Sequence, residues 1–244
     1  MFTYCHYRYP LIVVSSPKVV VAYFFTIRRK SIAFAFISMA MDRVFTRNFP
    51  GVHFAKLLGT GTGATFTPRD AELRRWGMVV VIDTDQLTAF HHSPIIKRWR
   101  KRSDHEFRAV MRPISSHGLW AKTNPFLPTE TLSAPDAPIA AITRARIKWN
   151  KNFIFWKSVP PVVSDLHSSP GLLAAIGIGE APIGLQGTFS LWESASALRT
   201  FAYKGEAHQR AIADTERIGW YSEELFSRFE VLEMIGSLKN SPIN

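Results

Sequence analysis

The chain has 244 residues, 46% of them apolar and 13% aromatic, which is ample for a packed core and excludes a disordered protein. Its single cysteine, Cys5, excludes an internal disulfide and any cysteine-built zinc or iron–sulfur site, and fits a reducing cytoplasm. The net charge of +11 reads either as solvated helix ends or as attraction to anionic partners, lipid before nucleic acid, because no nucleic-acid-binding motif accompanies it.

Residues 1–17 are expected to be a loose extension outside the fold. Val19 to Ile27 is β-branched and aromatic and reads as a strand. Arg28-Arg29-Lys30 stops it, and neither this run nor Ile32 to Met41 reaches the about 20 residues that a membrane span needs. Ser31 to Thr46 reads as a helix, Asn48-Phe49-Pro50-Gly51 as a turn, and Val52 to Leu58 as a strand. Gly59-Thr60-Gly61-Thr62-Gly63 reads as a turn between antiparallel strands, since it lacks the Gly-Lys-Ser/Thr of a phosphate loop. Gly77 to Asp83 is a further strand, Asp85 to Arg102 a helix interrupted at Pro94, and Glu106 to Ile114 a strand. Lys122 to Pro138 holds four prolines and reads as a linker. Beyond it come a strand (Ile139 to Ile147), helical material (Lys151 to His167, broken at Pro160-Pro161) and two strands (Leu172 to Ile178 and Gly187 to Glu193). Helical material (Ser196 to Ile218) and a last strand (Leu225 to Ile235) complete the chain.

The order β-α-β-β-α-β therefore occurs twice. Pro50-Gly51 and Gly59 recur as Pro170-Gly171 and Gly179, 120 positions further on. The same offset carries Val19-Val20-Val21-Ala22 onto Ile139-Ala140-Ala141-Ile142. The expected fold is α+β, with two tandem ferredoxin-like (βαββαβ) repeats forming a pseudo-dimeric α/β barrel. Residues 18–121 make the first repeat, 122–138 the linker and 139–238 the second. Helices outside and a lumen between the sheets would follow, with the lumen as the natural site.

By period two, Thr188, Ser190 and Trp192 share one strand face, and Ile142, Arg144 and Arg146 share another. A mid-strand arginine is costly to bury without an anion, so Arg144 facing the lumen could hold a carboxylate. The bland alternative is that Arg144 and Arg146 point to solvent. His208 stands in the second half where the first has Lys97, so one half alone carries this imidazole, as a single axial haem ligand would require. An ordinary surface histidine is the alternative.

Phe54-Ala55-Lys56-Leu57-Leu58-Gly59-Thr60-Gly61, with Phe66-Thr67-Pro68, resembles the first block of the spheroidene monooxygenase (acyclic carotenoid ketolase) family. So do Ile176-Gly177-Ile178-Gly179-Glu180-Ala181-Pro182 and Gln186-Gly187-Thr188-Phe189-Ser190-Leu191-Trp192. Phe201-Ala202-Tyr203 through His208, and Gly219-Trp220-Tyr221-Ser222-Glu223-Glu224-Leu225-Phe226, complete a resemblance over residues 18–236. The resemblance implies a dimeric α/β-barrel oxygenase that uses dioxygen, electrons from a donor such as ferredoxin, and haem. It would oxidise a terminal carbon of an acyclic carotenoid to a ketone. On that reading His208 is the iron ligand, with Arg146 and Tyr203 also at the cofactor. Arg144, Ser190 and Thr188 are catalytic candidates, and Phe54, Trp156, Trp192 and Trp220 wall the pocket. A cytoplasmic protein touching the membrane face through Lys97 to Arg102, with Trp99 among them, is expected. Other haem chemistry on the same barrel (haem breakdown, aldoxime dehydration) and non-enzymatic binding of haem or an apolar ligand stay open.

Overall fold

A computed structural model of the chain describes residues 6–8, 17–61, 70–128, 137–151, 163–180, 185–204 and 218–238. In chain order the elements are β1 (His6–Arg8), β2 (Lys18–Ile27), α1 (Ile32–Arg47), β3 (Val52–Gly61), β4 (Ala71–Asp83), α2 (Leu87–His91) and α3 (Pro94–Lys101). There follow β5 (Ser103–Gly118), β6 (Ile139–Ile147), β7 (Leu172–Gly179), β8 (Leu185–Trp192), α4 (Ala195–Lys204) and β9 (Tyr221–Ile235). The helix expected through Asp85 to Arg102 is two helices. Ser93 ends the first and caps the second, its hydroxyl accepting the Ile96 N–H at 3.4 Å, with Pro94 in the first turn where its missing N–H costs nothing.

Strands β2 to β9 close into one antiparallel barrel, in the order β9-β5-β2-β4-β3-β7-β8-β6 and back to β9. Both halves run in the same order, fourth strand, first, third, second: β5-β2-β4-β3 and β9-β6-β8-β7. The two seams are unequal. Strands β5 and β9 pair from Arg108↔Ile235 to Gly118↔Leu225, whereas β3 and β7 pair only at Gly59↔Gly179, Thr60↔Ile178 and Gly61↔Gly177. Gly51 and Gly171 both lie in the left-handed region, at φ +74° and +78°, where a side chain would be strained.

Alternation along each strand separates two kinds of core. Inward residues of both halves, among them Val20, Ala22, Phe24, Ile142, Phe189 and Phe229, form one cluster inside the barrel. Outward residues of the first half, such as Val21, Tyr23, Phe25, Met78 and Val80, pack under α1, α2 and α3. Ile139, Ala141, Trp192 and Leu198 form a smaller outer core in the second half.

The expected lumen is filled. The Phe24 and Phe189 rings meet at 5.0 Å between centroids, with Phe107 6.2 Å from Phe24 and 6.4 Å from Phe189. Of the stretch expected to be a linker, the described residues 122–128 follow Trp120 over one mouth of the barrel. Trp120 and Phe126 are both fully buried there, held by a Trp120–Thr123 bridge and by Asn124, whose side-chain carbonyl accepts the Phe126 N–H at 3.1 Å. Phe126 lies against Phe229 at 5.0 Å and Phe54 at 5.9 Å. Two further departures lengthen the sheet: β4 begins at Ala71, and β9 at Tyr221. From the N-terminal extension, His6–Arg8 pairs with Glu233–Ile235, beyond the last β9 residue that β6 reaches.

Phe189→Ala would empty the centre of the ring cluster, and an expected loss of about 3–5 kcal/mol should appear in chemical denaturation.

Candidate active site: a charged knot at the barrel mouth and a face of small side chains

Arg144 is inward, as its period with Ile142 requires, and only 3% exposed. The carboxylates that neutralise it are the protein's own. Its guanidinium lies 3.1 Å from Glu180 Oε1 and pairs with Glu223, and it sits over the Trp120 ring at 5.7 Å. Glu180 also accepts from Lys56 Nζ at 2.6 Å and from the Trp120 indole N–H at 2.7 Å. Glu223 accepts two successive backbone N–H groups, from Ala121 at 3.1 Å and Lys122 at 2.7 Å. Those residues hold φ of 57° and 66°, which turns both N–H groups toward one carboxylate. Two cations and two carboxylates make the knot neutral.

Burial by itself would raise the Glu180 pKa. The Lys56 hydrogen bond and charge, the indole N–H and Arg144 outweigh it, so this carboxyl stays below the ordinary glutamate value. Glu223 behaves alike: burial raises it, while the Lys122 N–H, Arg144 and the Ala121 N–H lower it further. Arg144 Nε has no hydrogen-bond partner among the described residues. Arg144 lines a crevice with Leu58, Trp120, Ile178, Gly179, Glu180 and Gln186 that is too tight to admit a polyene end.

Thr188, Ser190 and Trp192 do share a face, but it is the outer one. Each pairs with an outward residue of β6: Thr143↔Thr188, Ala141↔Ser190, Ile139↔Trp192. The Trp192 indole donates to Ser190 Oγ at 3.0 Å, and its ring stacks on Phe201 at 5.3 Å. Arg144 therefore lies across the sheet from Thr188 and Ser190, and the three do not converge. Arg146 is exposed near the end of β6. Phe54 belongs to the interior, its ring 5.5 Å from Trp120. Trp220 is buried beside Tyr221. Tyr203 is in α4, while its side chain, Trp156 and His208 lie outside the described residues.

The two outer faces differ in bulk. In the first half, Val21, Tyr23 and Phe25 pair with Val80, Met78 and Trp76. At the matching places in the second half, Ala141, Thr143 and Ala145 pair with Ser190, Thr188 and Gln186. The first face is closed: the Tyr23 ring stacks on Phe25 at 5.9 Å and on His91 at 6.1 Å. Burial, with Arg108 and Arg100 nearby, pushes His91 down to about 4, so it is neutral at pH 7. The second face carries short side chains: Thr143 is exposed, whereas Ala141, Ala145, Ser190 and Gln186 are buried. No side chain as large as Tyr23 or Trp76 stands at these matching places. Among the described residues no three His, Cys, Asp or Glu side chains gather to hold a metal ion.

Lys56, Glu180, Glu223 and Trp120 were not singled out from sequence. A signal existed: a mid-strand arginine requires carboxylates, and Glu180 and Glu223 both stand in the blocks that carry the family resemblance.

No family model matches the chain. A spheroidene monooxygenase of Rhodobacter capsulatus is 36% identical over 212 residues, 85% of this chain and 87% of that protein. The spheroidene monooxygenase of Cereibacter sphaeroides is 34% identical over 81% of the chain and 61% of its own length. That of Rubrivivax gelatinosus is 35% identical over 78% and 73%. Among solved structures, an aldoxime dehydratase superposes with a TM-score of 0.58 at 12% identity, over 92% of this chain and 85% of that one. This likeness concerns the barrel fold alone.

Removing Arg144 would leave two buried carboxylates facing each other, so Arg144→Ala is expected to cost about 3–5 kcal/mol in denaturant unfolding. Both glutamates have folded pKa values below the ordinary 4.5, so they bind protons more readily unfolded than folded. Their contribution is complete above pH 4.5 and is lost as pH falls through the lower folded values. Glu223→Gln should lower stability at pH 7 and flatten the loss below pH 4.5 in acid titrations followed by circular dichroism.

Proposed function

The chain belongs to the spheroidene monooxygenase family and is an oxygenase; we propose that it oxidises a terminal carbon of an acyclic carotenoid, or a similar apolar substrate, to a ketone with haem as cofactor. The observation that carries the family is the 36% identity across 85% of the chain. The observation that supports a haem is the floor of short side chains on the second half, where the first half is filled with Tyr23, Phe25 and Trp76. The same reading treats the halves as tandem ferredoxin-like units. Their common strand order and the matched conformations of Gly51 and Gly171 support it.

On this reading His208 holds the iron, by its place in the motif and its presence in one half only. Haem would supply the activation of dioxygen. The chain's own groups would do the rest. Thr143 and Thr188 offer hydroxyls on the floor, where a proton can be held or passed. Ser190 orients Trp192, which closes one end of the floor against Phe201. Arg146 and Tyr203 are the candidates to hold the cofactor's carboxylates. Trp156 and Trp220 would wall the substrate, and Phe54 and Arg144 would brace the sheet from inside. Two hydroxylations of one carbon, each consuming one dioxygen, two electrons and two protons and releasing one water, give a geminal diol that loses water to the ketone. Electrons would come from a ferredoxin-type donor. Among the described residues no helix is long and apolar enough to cross a membrane, and peripheral contact with one, from the cytoplasmic side, belongs to this reading.

Purified protein reconstituted with haem should show a Soret band that His208→Ala removes, and should convert an acyclic carotenoid to its ketone with ferredoxin, ferredoxin reductase and oxygen. No Soret band in the reconstituted protein would refute the haem assignment. Thr143→Tyr with Thr188→Met, which restores residue types of the first half, should leave the melting temperature unchanged. Turnover should fall by about a hundredfold or more, because the substrate and cofactor lose their position.

A further inference from the structure

The first helix packs Ala35, with Ile32, Phe34 and Met39, against the core and buries the polar Ser38, Asp42 and Thr46 beside them. Asp42 accepts the Trp99 indole N–H at 2.8 Å and pairs with Arg98, which ties α1 to α3 through polar groups. Its outer side carries Phe36, Ile37, Met41, Val44 and Phe45, each between 54% and 60% exposed. They form one stripe along the helix, by spacings of three and four residues. Phe36 lies 5.0 Å from the Trp76 ring. Monomeric surfaces seldom gather so much contiguous apolar area without a partner.

The charge around the stripe identifies that partner. Residues 28–47 and 97–102 together hold ten Lys and Arg and one acidic residue, Asp42, which is already buried and paired. Arg29, Lys30, Arg43 and Arg47 are exposed on or beside α1, and Lys97 and Lys101 on α3. A second copy of the chain would bring the same cations against these, and like charges repel. An anionic bilayer leaflet supplies acyl chains for the stripe and phosphates for the rim. We propose that α1 seats the protein on an anionic membrane surface, its apolar stripe among the acyl chains and its cations at headgroup level. Trp99, expected at the lipid from its place in the basic run, takes no part: it is 2% exposed and inside the fold.

This deepens the proposed function, since a carotenoid is dissolved in the leaflet that α1 would touch. Its test requires no turnover, so its failure and that of the oxygenase assay are separate. In flotation the full chain should rise with vesicles of equal parts phosphatidylcholine and phosphatidylglycerol, and not with phosphatidylcholine alone. Added salt should weaken the binding, since it screens the cations. Ile37→Glu with Val44→Glu should lower the affinity at least about tenfold. Arg43→Gln with Arg47→Gln should weaken binding and flatten its salt dependence. All four positions are exposed, so both variants should melt as the parent does. Absence of flotation with anionic vesicles, or flotation of I37E/V44E equal to the parent, overturns the proposal. A dimer in sedimentation equilibrium that I37E/V44E dissociates, without flotation of the parent, overturns it in favour of a second copy.

Discussion

A closed barrel of eight strands has an interior that side chains can fill or that can hold one small ligand, and here side chains fill it. That constraint organises this protein. Both halves send their inward residues to one shared core, and Phe24, Phe107 and Phe189 meet at its centre. Trp120 and Phe126 complete the filling from the segment between the halves. The two outer faces are not equivalent: one is packed with aromatic rings beneath three helices, and the other is paved with alanine, serine and threonine. They thus differ in the bulk of their side chains.

The charged knot at the barrel mouth shows what closure demands of polar groups. A guanidinium at 3% exposure is tolerable only because Glu180 and Glu223 reach it, and they in turn are satisfied by Lys56, Trp120 and two loop N–H groups. Such a cluster adds little net stability compared with apolar packing, yet breaking it is costly. Its value is geometric. Glu180 follows β7, Lys56 is on β3 and Arg144 on β6, so the knot bridges the seam where β3 and β7 share only three residue pairs. The left-handed Ala121 and Lys122 hold the plug loop to Glu223 at the same point.

The surface follows a different logic. Ten of the 30 Lys and Arg stand in the segments 28–47 and 97–102, around a helix that buries three polar residues and exposes five large apolar ones. The two proposals thus fall on different halves, docking on the first and chemistry on the second.

Much of this was legible in the sequence. Val19 to Ile27 and Ile139 to Ile147 are strands because β-branched residues fit a pleated surface, and Pro94 breaks its helix because it lacks an N–H. The shared faces of Thr188, Ser190 and Trp192, and of Ile142 and Arg144, followed from a period of two. Periodicity, however, is blind to which face is inside. That choice depends on how the sheet closes, and it put Arg144 in the interior and Ser190 outside, so the candidates separated. The partners of Arg144 come from strands far apart in the chain, and no local spacing brings Glu180 and Glu223 together. Propensity and alternation are properties of neighbouring residues, so the sequence alone determined the elements and their two-sidedness. Enclosure is a property of the whole sheet, so the tertiary structure alone decided that the lumen is filled, that a linker is a plug, and that a helix turns its greasy side outward.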